Sequence, residues 1–263
     1  MLNPIYLKTT TLADAWFTAI FSILENGRKF KIDEGSFAGQ ERLEFDWVTI
    51  HIERPELEML PTLNPLLNMP NPVDDNYIND YLPYLMTGEE KEGESYTYGG
   101  RINKAELPSY MNSPKDYVDI LVQGKDIWKN PLIIQNNFLN QMYYMIHTYK
   151  NKGFRNNQMI LQVGQPTDML LIDPPCLRHI DTRIQDGKLH FYPYFRSWDL
   201  WGGFPANLAA IELMKQYCAA EIGVDNGELI VSSKGLHLYD YTWELAELVR
   251  GKTMEEFKSD LGQ

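Results

Sequence analysis

The sequence predicts a single α+β domain spanning residues 1–263, and three observations carry that expectation. Strand-like and helix-like segments mix without the strand–helix–strand rhythm of a parallel sheet. Asp186-Gly187 stands between two runs of strand formers, Leu177 to Ile184 and Leu189 to Phe195, which is the signature of a two-residue hairpin. Phe204 to Ile222 then reads as a long helix whose apolar face runs through Leu208, Ile211, Met214 and Cys218. At 263 residues, 44% hydrophobic and 23% charged, the chain is long enough for a sizeable core and has the composition of an ordinary globular protein.

The remaining elements follow in order. Leu12 to Gly27 repeats Ala15, Ala19, Ile20, Ile23 and Leu24 at helical spacing, with Gly27 as a C-terminal stop. Leu43 to Ile52 alternates apolar and polar residues and predicts one strand. The proline-rich stretch Pro55 to Pro72 predicts a loop. Asn76 to Met86 and Leu132 to Lys150 read as helices, Gln158 to Val163 as a short buried strand, Glu228 to Ser232 as a strand, and Tyr239 to Val249 as the last helix. No internal repeat or linker interrupts this order.

The bulk properties narrow the partners. A net charge of −12 argues against a nucleic-acid surface, because phosphate backbones require a basic footprint. It still allows a small phosphorylated molecule held by one or two arginines in a cleft. No run approaches the ~18 apolar residues of a membrane span. The start Met1 to Lys8 lacks the basic-then-apolar shape of a signal peptide, and two cysteines, Cys176 and Cys218, suit a reducing compartment, so the expected location is cytoplasmic.

Chemistry concentrates around Asp173-Pro174-Pro175-Cys176. Arg196-Ser197-Trp198-Asp199 follows twenty residues after the cysteine, then Gly202-Gly203 and Asn207. The hairpin brings Cys176 and Arg196 to the same end of two paired strands. A thiol near a fixed cation and an amide is what a nucleophile needs to attack an anionic heterocycle that forms hydrogen bonds. Read by residue type alone, Cys176 is more often a small core filler, Asn207 a helix N-cap, His237 a structural histidine, and Arg196 or Asp199 a surface charge. A Cys-His hydrolase using His179 or His237 lacks an oxyanion-hole motif and leaves Asn207 unexplained.

From about Asn156 to Leu248 the chain resembles the flavin-independent thymidylate synthases and related pyrimidine-nucleotide hydroxymethylases. Pro174-Pro175-Cys176, Arg196-Ser197-Trp198-Asp199, Asn207 and His237-Leu238-Tyr239 occur in that family's order and spacing, and Tyr98-Gly99 is similar to its tyrosine loop. The resemblance implies a large sheet flanked by helices, packed back to back in a homodimer. It implies that Cys176 adds to carbon 6 of the uracil of deoxyuridylate, activating carbon 5 toward a one-carbon unit from methylene-tetrahydrofolate or a related reduced pterin, with neither metal nor flavin. Arg196 would lower the thiol pKa and, with Ser197, hold the phosphate. Asn207 would read the base, where a carboxylate would suit cytosine. His237 and Tyr239 would read the sugar, Tyr98 would relay protons, and Asp199 with Gly203 would face the ring and the pterin.

The chain also departs from the family. Asn157 and Gln158 stand where an arginine pair would reach across the dimer to the partner's phosphate, leaving Arg155 and Arg178 as substitutes. Leu177 replaces a histidine, Asp80 is the candidate for a water-ordering glutamate, and Arg42, then Arg28, for an N-terminal phosphate arginine. The chain stops at Gln263, soon after the His-x-Tyr segment, as in short archaeal-type members. A hydroxymethylase and a catalytically silent nucleotide-binding homologue are the rival readings.

Overall fold

The computed structural model describes residues 1–33, 37–108 and 130–251; the expectation about the C-terminal closing segment falls at 252–263, outside them. Among the described residues a mixed six-stranded sheet runs in the order β1 (Pro4–Thr9), β4 (Trp47–Ile52), β12 (Asp225–Ser233), β10 (Lys188–Phe195), β9 (Leu177–Gln185), β8 (Ile160–Gln162). β1 pairs with β4 and β10 with β12 in parallel, and the other neighbours are antiparallel. A second sheet orders β11 (Trp198–Asp199), β13 (Leu236–Tyr239), β3 (Glu41–Glu44) and β2 (Arg28–Lys31), and a small third one orders β5 (Ala105–Glu106), β7 (Phe138–Leu139) and β6 (Ile134–Gln135). Six α-helices among the described residues flank these sheets, so the class is α+β as expected.

The predicted hairpin forms with Asp186 at φ 51° and Gly187 at φ 75°, the two left-handed positions that a two-residue turn demands. Helix α1 (Leu12–Asn26) starts where Thr11 Oγ1 accepts from the Asp14 N–H at 3.0 Å. Its Trp16 is fully buried and donates its indole N–H to the Leu200 and Trp201 carbonyls at 2.9 and 3.0 Å, tying α1 to the segment after Asp199. The long helix, α5 (Gly203–Ile222), is buried on most sides, which is why it lacks a clean polar face. Its Glu212 and Lys215, both 0% exposed, pair at 2.9 Å, so the two buried charges neutralise one another.

Three segments differ from expectation. Leu43 to Ile52 is two strands in different sheets: the chain breaks at Phe45-Asp46, where buried Phe45 donates its N–H to Leu236 and Asp46 pairs with Arg28 at 2.9 Å. Leu132 to Lys150 is the β6–β7 hairpin followed by α4 (Gln141–Lys152), with Asn136 and Asn137 both at positive φ in the turn and Asn140 capping the helix. Tyr239 ends strand β13, and the last helix, α6, covers only Trp243–Arg250. Strand β1 and the short helix α3 (Tyr98–Asn103) stand outside the sequence expectation. The Pro55 to Pro72 stretch is a loop with one 3-10 turn at Pro65–Leu67, and α2 (Asp75–Met86) matches its predicted span closely. No helix among the described residues is long and apolar enough to cross a membrane.

Candidate active site

The site is assembled where β9 begins and β10 ends. Cys176 directly precedes β9 and Arg196 directly follows β10; the Arg196 N–H donates to the Cys176 carbonyl at 2.8 Å. The Arg196 side chain curls back over the Pro-Pro lead-in, donating to the Pro175 carbonyl at 3.2 Å and to the Pro174 carbonyl, and meets the exposed Asp173 carboxylate at 3.3 Å. Ser197 follows on the same turn, half-buried.

Cys176 is half-buried, and burial pushes its thiol pKa up; Arg196 and then Arg178 pull it down while Asp173 adds to the rise. Arg196 pulls in the expected direction, but burial outweighs it and the net shift is upward. Cys218 is 0% exposed in the middle of α5, and burial raises its thiol much further. The two cysteines therefore divide into one half-buried at a strand end and one in the core.

Tyr98 opens α3, capped by Thr97, and its phenol oxygen accepts from the Leu177 N–H at 3.3 Å, beside the thiol. Gly99 is needed behind it, because a Cβ there would overlap the Tyr84 and Thr87 carbonyl oxygens at the end of α2. Burial holds the Tyr98 phenol firmly protonated. A cavity of about 290 Å³ opens between α2, this turn and α5, with Tyr81, Tyr96, Tyr98 and Asn207 on its walls.

Asn207 is not the helix cap; Gly202 occupies that position, and Asp199 does the capping work by accepting from the Gly202 and Gly203 N–H groups at 3.0 and 2.9 Å. Asn207 lies one turn further in, where its Oδ1 accepts from the Trp198 indole N–H at 3.0 Å and its Nδ2 donates to the Tyr81 hydroxyl at 3.0 Å. Asp199 pairs in register with His237 across β11 and β13. The His237 Nδ1–H donates to the Gly235 carbonyl at 2.8 Å, leaving Nε2 as a buried acceptor with no partner. Burial pulls the His237 pKa down to about 4, so the ring is neutral at physiological pH. Tyr239 packs edge-on against it at 4.7 Å, with its own phenol pushed up to about 12 by burial.

The arginine candidates separate. Arg178 and Arg101 both bind the buried Asp168 carboxylate, at 2.9 and 3.0 Å, so Arg178 is committed to a structural ion triad as well as influencing the thiol. Arg42 faces Tyr239 in register but pairs with Glu44 at 2.8 Å, and Arg28 pairs with Asp46. Arg155 lines a separate cavity of about 420 Å³ beside the hairpin turn, together with Asn157 and Arg183. Arg183, which the motif reading missed, donates to Asn157 at 3.2 Å, so a cation does stand beside the position where the family's arginine is lost. Asp80 is solvent-exposed on α2, and the residue α2 offers to Asn207 is its neighbour Tyr81. Tyr81 carries no motif signal; Trp198 occupies the variable position of Arg-Ser-x-Asp and so escaped notice.

A half-buried thiol on a strand end with a guanidinium beside it, next to a tyrosine that shares a cavity with a fixed amide in the first turns of a helix, defines a cysteine-centred α+β ligand site. The sequence model described as "Thymidylate synthase" matches residues 88–258, which include Cys176, Arg196 and Asn207 but not Tyr81. The chain belongs to the thymidylate synthase family. It is 24% identical over 246 residues to a protein of Methanosarcina acetivorans named "Putative thymidylate synthase", covering 93% of this chain and 94% of that one. A protein of Methanothermobacter thermautotrophicus with the same name is 22% identical over 257 residues, covering 92% and 97%. A "Thymidylate synthase" of Listeria monocytogenes is 30% identical over 120 residues, covering 45% of this chain and 38% of its own length.

Proposed function

We propose that residues 1–263 form one catalytic domain, a flavin-independent, short archaeal-type thymidylate synthase that methylates deoxyuridylate reductively with methylene-tetrahydrofolate or a related reduced pterin. The observation that carries this reading is Tyr98, which shares a cavity wall with Asn207 and whose hydroxyl accepts from the Leu177 N–H next to Cys176, at the strand end where Arg196 is bonded to Cys176. In the proposed reaction the Cys176 thiolate, its proton lost, adds to carbon 6 as the C5=C6 π pair moves onto the ring carbonyl; carbon 5 then attacks the pterin's methylene as its C–N bond breaks. Loss of the carbon 5 proton and elimination of the cysteine leave an exocyclic methylene, which takes a hydride from the tetrahydropterin, oxidised to the dihydro form. The raised thiol pKa means that the free enzyme holds mostly the thiol, with Arg196 favouring the thiolate that must form for addition; its carboxylate partner, exposed Asp173, is one that a nucleotide phosphate can replace.

Asn207 retains one Nδ2–H and one Oδ1 lone pair beyond its protein partners, enough for a bidentate contact with a uracil edge. The unpartnered His237 Nε2 can accept from a sugar hydroxyl, with the Tyr239 phenol beside it. Tyr98, protonated and next to the thiol, is suited to proton transfer near the ring. Gly203 keeps the start of α5 open for the pterin, and Asp199 holds that turn in place.

The second part of the proposal is a cytoplasmic homodimer. The helix-free face of the large sheet offers Tyr6, Trp47, Thr49, Ser232 and Tyr194, with Trp47 38% exposed and stacked on Tyr194 at 5.7 Å. An open antiparallel and parallel face of this breadth suits a second copy of the same sheet. The deciding experiment incubates purified protein with deoxyuridylate and methylene-tetrahydrofolate and weighs the product. Thymidylate supports the reading; a hydroxymethylated nucleotide replaces it with a hydroxymethylase, and no turnover leaves a nucleotide-binding homologue.

A further inference from the structure

We infer that Trp198 and Tyr81 are positioning residues that set which pyrimidine the site accepts, by fixing the direction in which the Asn207 amide points. The inference rests on the base-reading role proposed above for Asn207 and extends it to two residues outside the motif.

An amide is an ambiguous reader. With Oδ1 on one side and Nδ2 on the other it complements uracil, which offers an N–H at position 3 and a carbonyl at position 4. Rotated by half a turn, the same side chain complements cytosine, which offers an acceptor at position 3 and an amino group at position 4. Asparagine alone therefore does not select a base; its orientation does. An indole N–H is a donor only, so the Asn207 atom 3.0 Å from Trp198 Nε1 must be the oxygen. The opposite end is then the amino group, and Tyr81 accepts from it at 3.0 Å.

The anchors are themselves held. Trp198 is 3% exposed and stacked between Phe195, at 3.9 Å and an interplanar angle of 2°, and Phe204, at 4.6 Å. It cannot swing away when the amide turns. Flipping Asn207 would set its amino group against the indole N–H, two donors facing each other in a buried place, with nothing to accept from either. Tyr81 is the weaker anchor, because a protonated hydroxyl can accept or donate and so tolerates either amide orientation. The stacked indole thus selects uracil without touching the base.

Equilibrium binding of deoxyuridylate and deoxycytidylate to wild type, Trp198→Phe and Tyr81→Phe tests this, with thermal melts as the control for folding. Phenylalanine keeps an aromatic ring against Phe195 and removes the N–H together with part of the indole's volume; the melts read that packing loss, and the ratio of the two nucleotides reads the lost anchor. The ratio of the two dissociation constants should fall at least about tenfold in Trp198→Phe and about threefold in Tyr81→Phe. A merely structural role would weaken both nucleotides alike and leave the ratio unmoved. Wild-type preference for deoxyuridylate with an unchanged ratio in Trp198→Phe overturns the inference and leaves the role of Asn207 standing. If Trp198→Phe does not fold, an unchanged ratio in Tyr81→Phe overturns it instead. A wild type that binds neither nucleotide, or shows no preference, overturns the base-reading role and the inference with it.

Discussion

The backbone N–H of Arg196 is bonded to the carbonyl of Cys176 at 2.8 Å, so the thiol and its guanidinium are fixed by one rung of a hairpin rather than by their flexible side chains. Changing the sulfur leaves that rung intact. Cys176→Ala should therefore fold normally and lose all turnover, and a fluorinated deoxyuridylate with the folate should trap an adduct on wild type. Peptide mapping of the adduct checks the position; attachment at Cys218, deep in α5, would move the site.

Arg196 is the guanidinium nearest the thiol whose own contacts are mostly carbonyls and an exposed carboxylate. Arg196→Ala should raise the Michaelis constant for deoxyuridylate at least about tenfold, matching the roughly 1.5–3 kcal/mol of a charge-assisted bond. The same substitution should leave the Michaelis constant for unphosphorylated deoxyuridine nearly unchanged, while losing the cation that favours the thiolate lowers turnover of both. Equal rises in the Michaelis constant for both would remove Arg196 from the phosphate.

Asp168 is a structural group, and its substitution should show in stability before activity. Its side chain is 2% exposed and shared by Arg101 and Arg178. Burial works to raise its pKa, but the Gln165 N–H and the two guanidiniums more than offset it, so the net shift is downward. A depressed carboxyl stabilises the fold above its unfolded pKa, about 4, and that contribution is lost as pH falls through the folded value. Asp168→Asn should cost on the order of 3 kcal/mol at neutral pH and flatten the acid limb of a melting-temperature profile.

His237 gives a second pH signature with its own window. Its folded pKa is about 4 against an ordinary 6.5. Between those values the unfolded chain binds a proton that the folded chain does not, so stability should fall as pH drops from 6.5 toward 4 and stay level above. His237→Gln should reduce that slope in denaturant titrations across the same range, the remainder coming from His179 and His190, which burial also pulls down.

Trp47 tests the proposed dimer. Trp47→Glu puts a charge on the open face of the large sheet, beside Tyr194. Sedimentation should show a dimer for wild type and a monomer, or a dimer weakened at least about tenfold, for the variant; a wild-type monomer at micromolar concentration would end the proposal.

The hairpin, the cysteine-to-arginine spacing and the two chief helices were legible because each is encoded within a short stretch. Asp186-Gly187 dictates its turn wherever it sits, and the turn brings Cys176 to Arg196. The Asn207–Tyr81 bond spans 126 residues, and nothing local marks a tyrosine on α2 for that task. Leu132 to Lys150 misled for another reason: Ile133, Ile134, Phe138 and Leu139 satisfy a helical spacing as well as two short strands. The Asn136-Asn137 pair, both left-handed, is the signal that decides it. Asn207 looked like a cap because Asp199, three to four residues before the helix start, takes that role from outside.

The register of Arg42 against Tyr239 joins residues near the two ends of the described chain in one small sheet. Such a pairing closes a very long loop before it gains anything, so it forms late and slows the whole molecule's folding. The half of the chain that carries the motifs, cut away from β3, would leave one edge of β13 without its partner. Until β13 has found β3, His237 and Tyr239 have no fixed place, and the side of the site they form beside Asp199 is missing.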